Sequence, residues 1–320
     1  MDMSVIIPVR NDLPNLRRCL AALRGGTRKP GEIIVVDDAS DEPLSLPDED
    51  VRFVRLPRQS GPAAARNAGA GVARCRILVF LDADVFVKSD TLARAHSYFT
   101  EQDEKAVVGV FEDFRDYQSF YSDYKNLWMK FSYENCPARA ALFYTSFAAI
   151  RAEVFAASGG FDVAYARPST EDTAFGNRLW NMGIRPLMAP DLVVFHNKEY
   201  KLGSLLKTDF IRAGDLLKMK LRGDMGRLFD RTRTSVGHGT LLAVGIMMLA
   251  PPVLLVGHLT IAVLLVLFST YCNHRYLAWL AKKRDAQFAV KSAVFMALDK
   301  LVVGAGLAYG FGAYVTGSKY

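Results

Sequence analysis

Cysteine is scarce in this chain, and the spacing of the few that are present excludes two kinds of site. The 320 residues contain four cysteines, which lie far apart and form no C-x-x-C pair. A disulfide framework and a zinc ribbon both need cysteines at short, regular spacings, so the sequence predicts neither. The four residues, which we expect to be reduced thiols facing a cytosol, are Cys19, Cys75, Cys136 and Cys272.

Formal charge is missing from residues 241–271, which contain no Asp, Glu, Lys or Arg. This run is longer than the roughly 20 apolar residues that span a bilayer as a helix, and it therefore predicts membrane insertion. Basic residues flank it on both sides, so the positive-inside rule places both ends in the cytoplasm. Two short spans that turn near 251–252 or 257–258 satisfy this rule.

A third apolar segment, 301–317, brings the expected total to two or three spans, with Asp299 and Lys300 held at an interface. A secretory signal is lacking at the start of the chain, where "MDMSVIIPVR" has an acidic second residue and only a short apolar run. The first domain is therefore not expected to be exported. These features predict a multi-pass protein of the cell inner membrane with its first domain in the cytoplasm.

Residues 198–233 carry ten basic and five acidic side chains. Apolar residues recur at helical spacing over 202–221, with Lys and Arg on the other faces. A core helix is one interpretation. Beside membrane spans, a helix lying on anionic lipid is favoured, and nucleic acid is not expected as a partner. The chain is thus divided into a domain 1–200, a basic interfacial region 201–235 and a transmembrane region 236–320.

The first domain alternates short apolar runs with helical patterns. Continuous apolar runs of strand length are typical of strands covered on both faces. The alternation predicts an α/β fold with an open, mainly parallel sheet, in which ligands bind beyond the carboxyl ends of the strands. The apolar runs are 4–9, 32–38, 52–56, 76–83 and 106–111, and the helical patterns include 11–23, 62–73 and 90–101.

Carboxylates follow two of the predicted strands. Asp37 and Asp38 end the second strand, and Asp82 and Asp84 end the run "ILVFLDADVF". Two carboxylates this close together favour a cation between them, and their oxygens suit Mg²⁺ or Mn²⁺ completed by substrate phosphates. A lone D-x-D pair is a weak signal, and a solvated turn is the alternative.

Several motifs occur in an order that resembles glycosyltransferase family 2, the inverting enzymes of GT-A fold. They are "VIIPVRND", "IIVVDDASD", "SGPAAARNAG", "LVFLDAD", "GGFD" and "STEDTAFGNRL", all within residues 3–200. The resemblance implies a GT-A nucleotide-sugar-binding domain, a UDP- or GDP-sugar donor and a divalent metal cofactor, Mn²⁺ or Mg²⁺. It also implies inversion without a covalent intermediate, which agrees with the lack of a G-x-S-x-G motif.

The resemblance assigns four residues to the nucleoside end of the donor. Pro8 and Arg10 would line the base and ribose pocket. Asp38, with Asp37 beside it, would bind the nucleobase. An Asx turn that merely begins a loop is the alternative for the two carboxylates.

Three further residues would lie along the donor. Arg66 and Asn67 would lie under the nucleotide, although an exposed helix face is the alternative for both. Asp82 would contact the ribose or metal-bound water.

The remaining assignments concern the metal and the acceptor. Asp84 would ligate the metal, and His196 would add a further metal contact unless it is a hydrogen-bonded structural residue. Glu171 belongs to the acceptor-side motif, in which Asp172 would be the catalytic base. Acidic residues of an ordinary helix first turn are the alternative for this pair.

The acceptor has to be inferred from the rest of the chain. Nine aromatic residues lie between 111 and 133, and Tyr and Trp favour the headgroup level of a bilayer as well as protein cores. We therefore expect inverting transfer of a single sugar to a lipid or lipid-linked glycan at the cytoplasmic face. The alternative is a polyprenyl-phosphate sugar synthase, which transfers the sugar to a lipid phosphate. The Q-x-x-R-W motif of processive family members is absent, so polymer synthesis is not expected.

Overall fold

The computed structural model describes residues 2–44, 50–112, 119–165, 167–223, 225, 232–233 and 236–317. Parts of the aromatic segment and of the basic stretch therefore lie outside the described residues. Within the described part, eight strands form one sheet. They are β1 (Met3–Val9), β2 (Glu32–Asp37), β3 (Val51–Arg55), β4 (Ile77–Leu81), β5 (Val85–Val87), β6 (Ala106–Glu112), β7 (Phe147–Arg151) and β8 (Leu187–His196).

The sheet is mixed, which corrects the expectation of a mainly parallel sheet. Its strand order is β3-β2-β1-β4-β7-β6-β8-β5. Four pairings are parallel, namely β1 with β2 and β4, β2 with β3, and β6 with β8. Strands β5 and β7 pair antiparallel with their neighbours. Both strands are short, and their sequences carry no signal of direction.

The predicted strand and helix positions of the first domain are confirmed to within a few residues. Helix α1 begins after Asp12, whose side chain accepts a hydrogen bond from the Asn15 N–H, and it has Pro14 in its first turn, where proline is favoured. The helices are α1 (Leu13–Arg24), α2 (Pro62–Val72), α3 (Thr91–Thr100), α4 (Phe120–Glu134), α5 (Ala152–Ala157), α6 (Glu171–Asn181), α7 (Leu202–Leu221), α8 (His238–Leu255), α9 (Leu259–Tyr271), α10 (His274–Lys283) and α11 (Ala286–Val315).

Hydrophobic cores lie on both faces of the sheet. Ile7 and Val79 are buried on one face, and Ile6 and Phe80 are buried on the other. Successive strand residues point to opposite faces, so a strand covered on both sides must be apolar throughout. The continuous apolar runs in the sequence have this cause.

Helix α7 packs against α11 through glycine. A Cβ atom added to Gly310 would lie 2.5 Å from the carbonyl oxygen of Gly214, so the two backbones are in direct contact there. The helix predicted over 202–221 is confirmed, but its buried face includes Asp209, Asp215 and Lys218. Its placement on lipid stays a prediction.

Two helices of the described chain are long and apolar enough to cross a membrane, α8 and α11, judged by length and composition. Helices α9 and α10 meet at 61° and would make a third span if the bent pair is counted as one. The turn predicted near 257–258 is confirmed, since α8 ends at Leu255, α9 begins at Leu259 and Gly257 has a φ of +87°.

The third apolar segment differs from its prediction. It belongs to a helix that already begins at Ala286, so Asp299 and Lys300 lie within the helix and not at its start. Both charged residues have partners inside the protein, because Tyr124 Oη donates to Asp299 Oδ2 at 3.0 Å and Lys300 Nζ donates to the Ser269 carbonyl at 3.0 Å. Such partners allow charged groups in the middle of an apolar helix.

Candidate functional site

Three parallel strands bring the predicted donor-side residues to one edge of the sheet. Strand β1 lies between β2 and β4 and is parallel to both, so the carboxyl ends of all three meet at the same edge. The loops after β1 and β2 are tied together, because Asn11 Nδ2 donates to Asp41 Oδ2 at 2.8 Å. Arg10 pairs with Asp41 at 3.0 Å and is exposed, while Pro8 is half-buried in β1.

Asp37 and Asp38 both accept hydrogen bonds from their own surroundings. Asp37 is fully buried, accepts from the Ser40 N–H at 2.9 Å and pairs with Arg55. Asp38 accepts from the N–H groups of Ser60 at 2.7 Å and Gly61 at 2.9 Å, where the chain enters α2. These contacts give each carboxylate a structural task in this loop. Binding of the nucleobase by Asp38 stays a prediction.

Arg66 joins the predicted donor side of the site to the predicted acceptor side. From α2, its Nη2 donates to Asp82 Oδ1 at 2.8 Å and its Nη1 donates to Glu171 Oε1 at 2.9 Å. Burial opposes its charge, but Asp82 and Glu171 outweigh that effect and raise the pKa of Arg66. Arg66 is therefore a permanent buried cation, and the alternative of an exposed helix face is wrong for this residue.

Asn67 holds the "GGFD" loop. Its Nδ2 donates to the Phe161 carbonyl at 2.8 Å, and its Oδ1 accepts from the Phe161 N–H at 2.9 Å. Gly160 has a φ of +71°, and a Cβ at that position would lie 2.7 Å from Asn67 Oδ1. Glycine is needed here on both counts, and the contact of Asn67 with a nucleotide stays a prediction.

Asp84 and His196 lie side by side at the junction of β4, β5 and β8. Asp84 Oδ1 is 3.7 Å from His196 Nε2, and the His196 ring stacks on Phe111 with centroids 4.8 Å apart. Burial, with the nearby charge of Lys198, lowers the pKa of His196 to about 3. Burial raises the pKa of Asp84, and Lys198 opposes that rise.

This pair has the chemistry of a partial metal site. Within the described residues, no three His, Cys, Asp or Glu side chains are grouped so that they could hold a metal by themselves. Mg²⁺ and Mn²⁺ often take only one or two protein ligands and complete their shells with water and substrate phosphates. A neutral imidazole beside a carboxylate, close to Asp82, fits that arrangement.

Asp172 lies at the start of α6, and only one of its two side-chain oxygens accepts a hydrogen bond from a described residue. Its Oδ1 accepts from the Thr173 N–H at 2.6 Å, and no described residue donates a hydrogen bond to its Oδ2. Burial and the adjacent charge of Glu171 raise the pKa of Asp172 to about 7, while Arg212 opposes the rise. A carboxyl with that pKa can accept a proton near neutral pH. Glu171 itself uses both oxygens within the protein, on Arg66 and on the Ser169 N–H.

One cavity of about 270 Å³ brings several of these residues together. Asp82, Asp172 and His196 line it. The other predicted donor residues, from Pro8 to Asn67, lie near the same sheet edge but outside the lining of this cavity. The lining continues as far as Lys300 of α11. The sheet edge that carries these residues is therefore joined by open space to the apolar C-terminal helices.

Lys198 and Arg212 also line this cavity, and sequence analysis did not single them out. Neither makes an ion pair or a side-chain hydrogen bond within the described part of the chain, and Arg212 Nε is buried without a partner. Both belong to the basic stretch noted in the sequence. Nothing in their spacing distinguishes them from the basic residues on the surface, because only the packing of α7 and the end of β8 brings them to Asp172 and Asp84.

Residues 4–159 match the family model described as Glycosyl transferase family 2. A pre-mycofactocin glycosyltransferase of Mycobacterium tuberculosis is 36% identical over 105 residues, which are 31% of this chain and 21% of that protein. The succinoglycan biosynthesis protein ExoO of Rhizobium meliloti is 34% identical over 98 residues, 29% of this chain and 28% of that protein. The matches thus span less than a third of either relative.

Among solved structures, the fold is similar to that of a mannosyltransferase from Pyrobaculum calidifontis in complex with GDP-Man and Mn²⁺. The TM-score is 0.58 at 20% identity, and the match covers 98% of this chain and 87% of that one. The family match and the shared fold together support a glycosyltransferase family 2 domain with the GT-A fold in this chain.

Proposed function

We propose that this protein transfers a single sugar, with inversion, from a nucleotide-diphosphate sugar to a lipid or lipid-linked glycan at the cytoplasmic face of a membrane. The observation that carries the proposal is the cavity, which is lined at one end by Asp82, Asp172 and His196 and at the other by Lys300 and Val303 of α11. A lipid-borne acceptor that approaches along the apolar helices would reach the carboxylates through this space.

Different residues of the chain would serve the different steps of inverting transfer. Asp172 would take the proton of the attacking hydroxyl through its Oδ2. Lys198 and Arg212 would hold the negative charge that develops on the departing diphosphate, and charge placed in advance in a water-poor site is an effective way to stabilise such a state. Asp84 and His196 would hold the divalent cation, which, when bound, polarises the leaving diphosphate.

A polar junction lies at the acceptor end of the cavity. Tyr124 of α4 donates to Asp299 of α11, and Lys125 of α4 forms an ion pair with Asp209 of α7. These groups line the cavity and offer donors and acceptors to the hydroxyl groups of a sugar. Their position between the catalytic domain and α11 supports an acceptor with a polar head and an apolar tail.

The second candidate is a polyprenyl-phosphate sugar synthase. Lys198 and Arg212 form no ion pair with any described residue, and this favours the second candidate, because the two cations could hold an acceptor phosphate in place of a leaving diphosphate. Mass spectrometry of the product separates the candidates, since a sugar phosphodiester to a lipid is acid-labile and a glycoside is stable.

The proposal is tested with purified full-length protein and a panel of UDP- and GDP-sugars, in the presence of Mn²⁺ or Mg²⁺ and a membrane lipid extract. We expect release of the nucleoside diphosphate from one donor. The Asp172→Asn variant should lose this release by at least about 100-fold, as is usual for a missing general base. It should still bind the nucleotide. A wild-type protein that releases nothing from any donor would refute the proposal.

A further inference from the structure

Helix α7 contains a buried ion pair that the proposed reaction does not use. Lys218 Nζ lies 2.8 Å from Asp215 Oδ1, and both side chains are about 3% exposed. Burying two charges costs free energy that the attraction between them often does not recover. A buried pair of this kind therefore calls for a specific partner or task.

The second oxygen of Asp215 supplies that partner. It accepts a hydrogen bond from the hydroxyl of Ser169, which lies just before α6. The N–H of the same Ser169 donates to Glu171 Oε2 at 2.9 Å. Ser169 is thus held between a carboxylate of α7 and the first residue of α6, which is followed directly by Asp172.

Hydrogen bonds continue from Glu171 through Arg66 to Asp82, on the predicted donor side of the site. Glu171 accepts from Arg66 at 2.9 Å, and Arg66 donates to Asp82 at 2.8 Å. An unbroken series of hydrogen bonds and ion pairs therefore runs from Lys218 of α7 to the end of β4. Only Asp82, whose side chain is 30% exposed, is open to solvent to any extent.

Helix α7 packs closely against α11. A Cβ on Gly306 would collide with the carbonyl of Phe210, and a Cβ on Gly310 would collide with Gly214. The two backbones are in contact at Phe210 and at Gly214, the residue directly before Asp215. The position of Asp215 is therefore set by the packing of the apolar helix.

We propose that Asp215 is a positioning residue for the transfer reaction, which holds Ser169 and thereby fixes Glu171 and Asp172 against the cavity. The inference rests on the proposed function and extends it, because it makes the α7–α11 pair a support of the catalytic base. Removing this support should displace Asp172, and a displacement of about 1 Å can cost about 100-fold in rate.

Three variants separate positioning from folding. Asp215→Asn removes the carboxylate charge that lies 2.8 Å from buried Lys218, so it should lose both stability and turnover. Asp215→Asn with Lys218→Met removes both charges and should regain thermal stability, while kcat for nucleoside diphosphate release stays roughly 10- to 100-fold low. Ser169→Ala keeps the ion pair, loses only the hydroxyl contact and should also lower kcat.

The control breaks a partly buried ion pair that is not a member of this series. Asp123→Asn separates Asp123 from Arg284, which lie 2.9 Å apart, and should lower the melting temperature without changing kcat. Binding of inorganic pyrophosphate with Mn²⁺, measured by calorimetry, should change less than about twofold in all variants, because the phosphate-binding cations are untouched.

Two results would overturn the inference. One is recovery of wild-type kcat together with stability in the double variant, and the other is wild-type kcat in Ser169→Ala. A wild-type protein without any donor turnover would instead refute the proposed function, and the positioning role would fall with it.

Discussion

Arg66 and Asp172 illustrate how single residues acquire their properties from neighbours that are distant in sequence. Arg66 contacts Asp82 and Glu171, which lie 16 and 105 positions away along the chain. Asp172 is a first-turn acid of α6 by sequence, and such acids ordinarily remain ionised at low pH because the helix N-terminus favours negative charge. Burial in the cavity reverses this behaviour and raises its pKa to about 7.

The pH dependence of turnover should report this carboxyl. A general base acts only when deprotonated, so we expect kcat to fall as the pH falls through about 7. Glu171 raises the pKa of Asp172, whereas Arg212 and Arg66 lower it. Arg212→Met should therefore move the acid limb of the profile to higher pH by roughly one unit.

Lys207→Met is the matched control for this shift, since Lys207 is an exposed cation on the same helix. Its profile should coincide with that of the wild type. An acid limb that stays in place in Arg212→Met would show that another group governs the titration.

The two cations of the cavity should bind phosphate directly. We expect Arg212→Met and Lys198→Met each to weaken binding of inorganic pyrophosphate by about tenfold, because a hydrogen bond to a charged group contributes about 1.5–3 kcal/mol. Isothermal titration calorimetry at fixed ionic strength measures this change. Affinity equal to that of the Lys207→Met control in both variants would contradict the assignment.

At the level of secondary-structure elements, the close contact between α7 and α11 depends on glycines, which have no side chain to separate the two backbones. Small residues allow apolar helices to approach closely and to gain van der Waals contact. Gly214, Gly306 and Gly310 provide that closeness, and each would meet backbone atoms if it carried a Cβ. Helix α7 and the apolar helix α11 are joined here by packing as well as by the chain itself.

Gly310→Ala should destabilise the protein, whereas Gly312→Ala on the same helix should not. The added methyl at 310 would lie 2.5 Å from the Gly214 carbonyl oxygen, while position 312 has nothing within 4 Å. Overpacking typically costs about 1–3 kcal/mol, and alanine at an open helix position is favoured over glycine by about 1 kcal/mol. Thermal unfolding in detergent compares the two variants directly. Equal melting temperatures would argue against a tight α7–α11 contact in solution.

At the level of the whole molecule, the arrangement of basic residues predicts which side of the membrane each part faces. The turn between α8 and α9 at His258 should lie on the side opposite to the first domain, since basic residues flank the hairpin on its cytoplasmic side. In a variant without its native cysteines, His258→Cys should react with a membrane-impermeant maleimide in intact cells.

A cysteine placed on the predicted cytoplasmic side, such as Lys207→Cys in α7, is the control and should react only after the cells are lysed. The same labelling of both positions in intact cells would contradict the predicted topology. Labelling of neither position before lysis would mean that the hairpin does not cross the membrane.

The sequence by itself determined the α/β alternation, the positions of the main strands and helices, and the apolar C-terminal helices with their turn. These features follow from local periodicity and from the length of apolar runs, which are properties of the sequence that do not depend on tertiary contacts. The order of motifs also predicted the family whose model residues 4–159 match. Only the tertiary structure decided that the sheet is mixed, that Asp299 and Lys300 lie within α11, and that Lys198, Arg212 and Asp215 lie close to the carboxylates predicted for the site. These facts depend on which distant segments come into contact. Burial of a charged group, and the pKa shift that burial causes, are set by those contacts and not by the residue's neighbours along the chain.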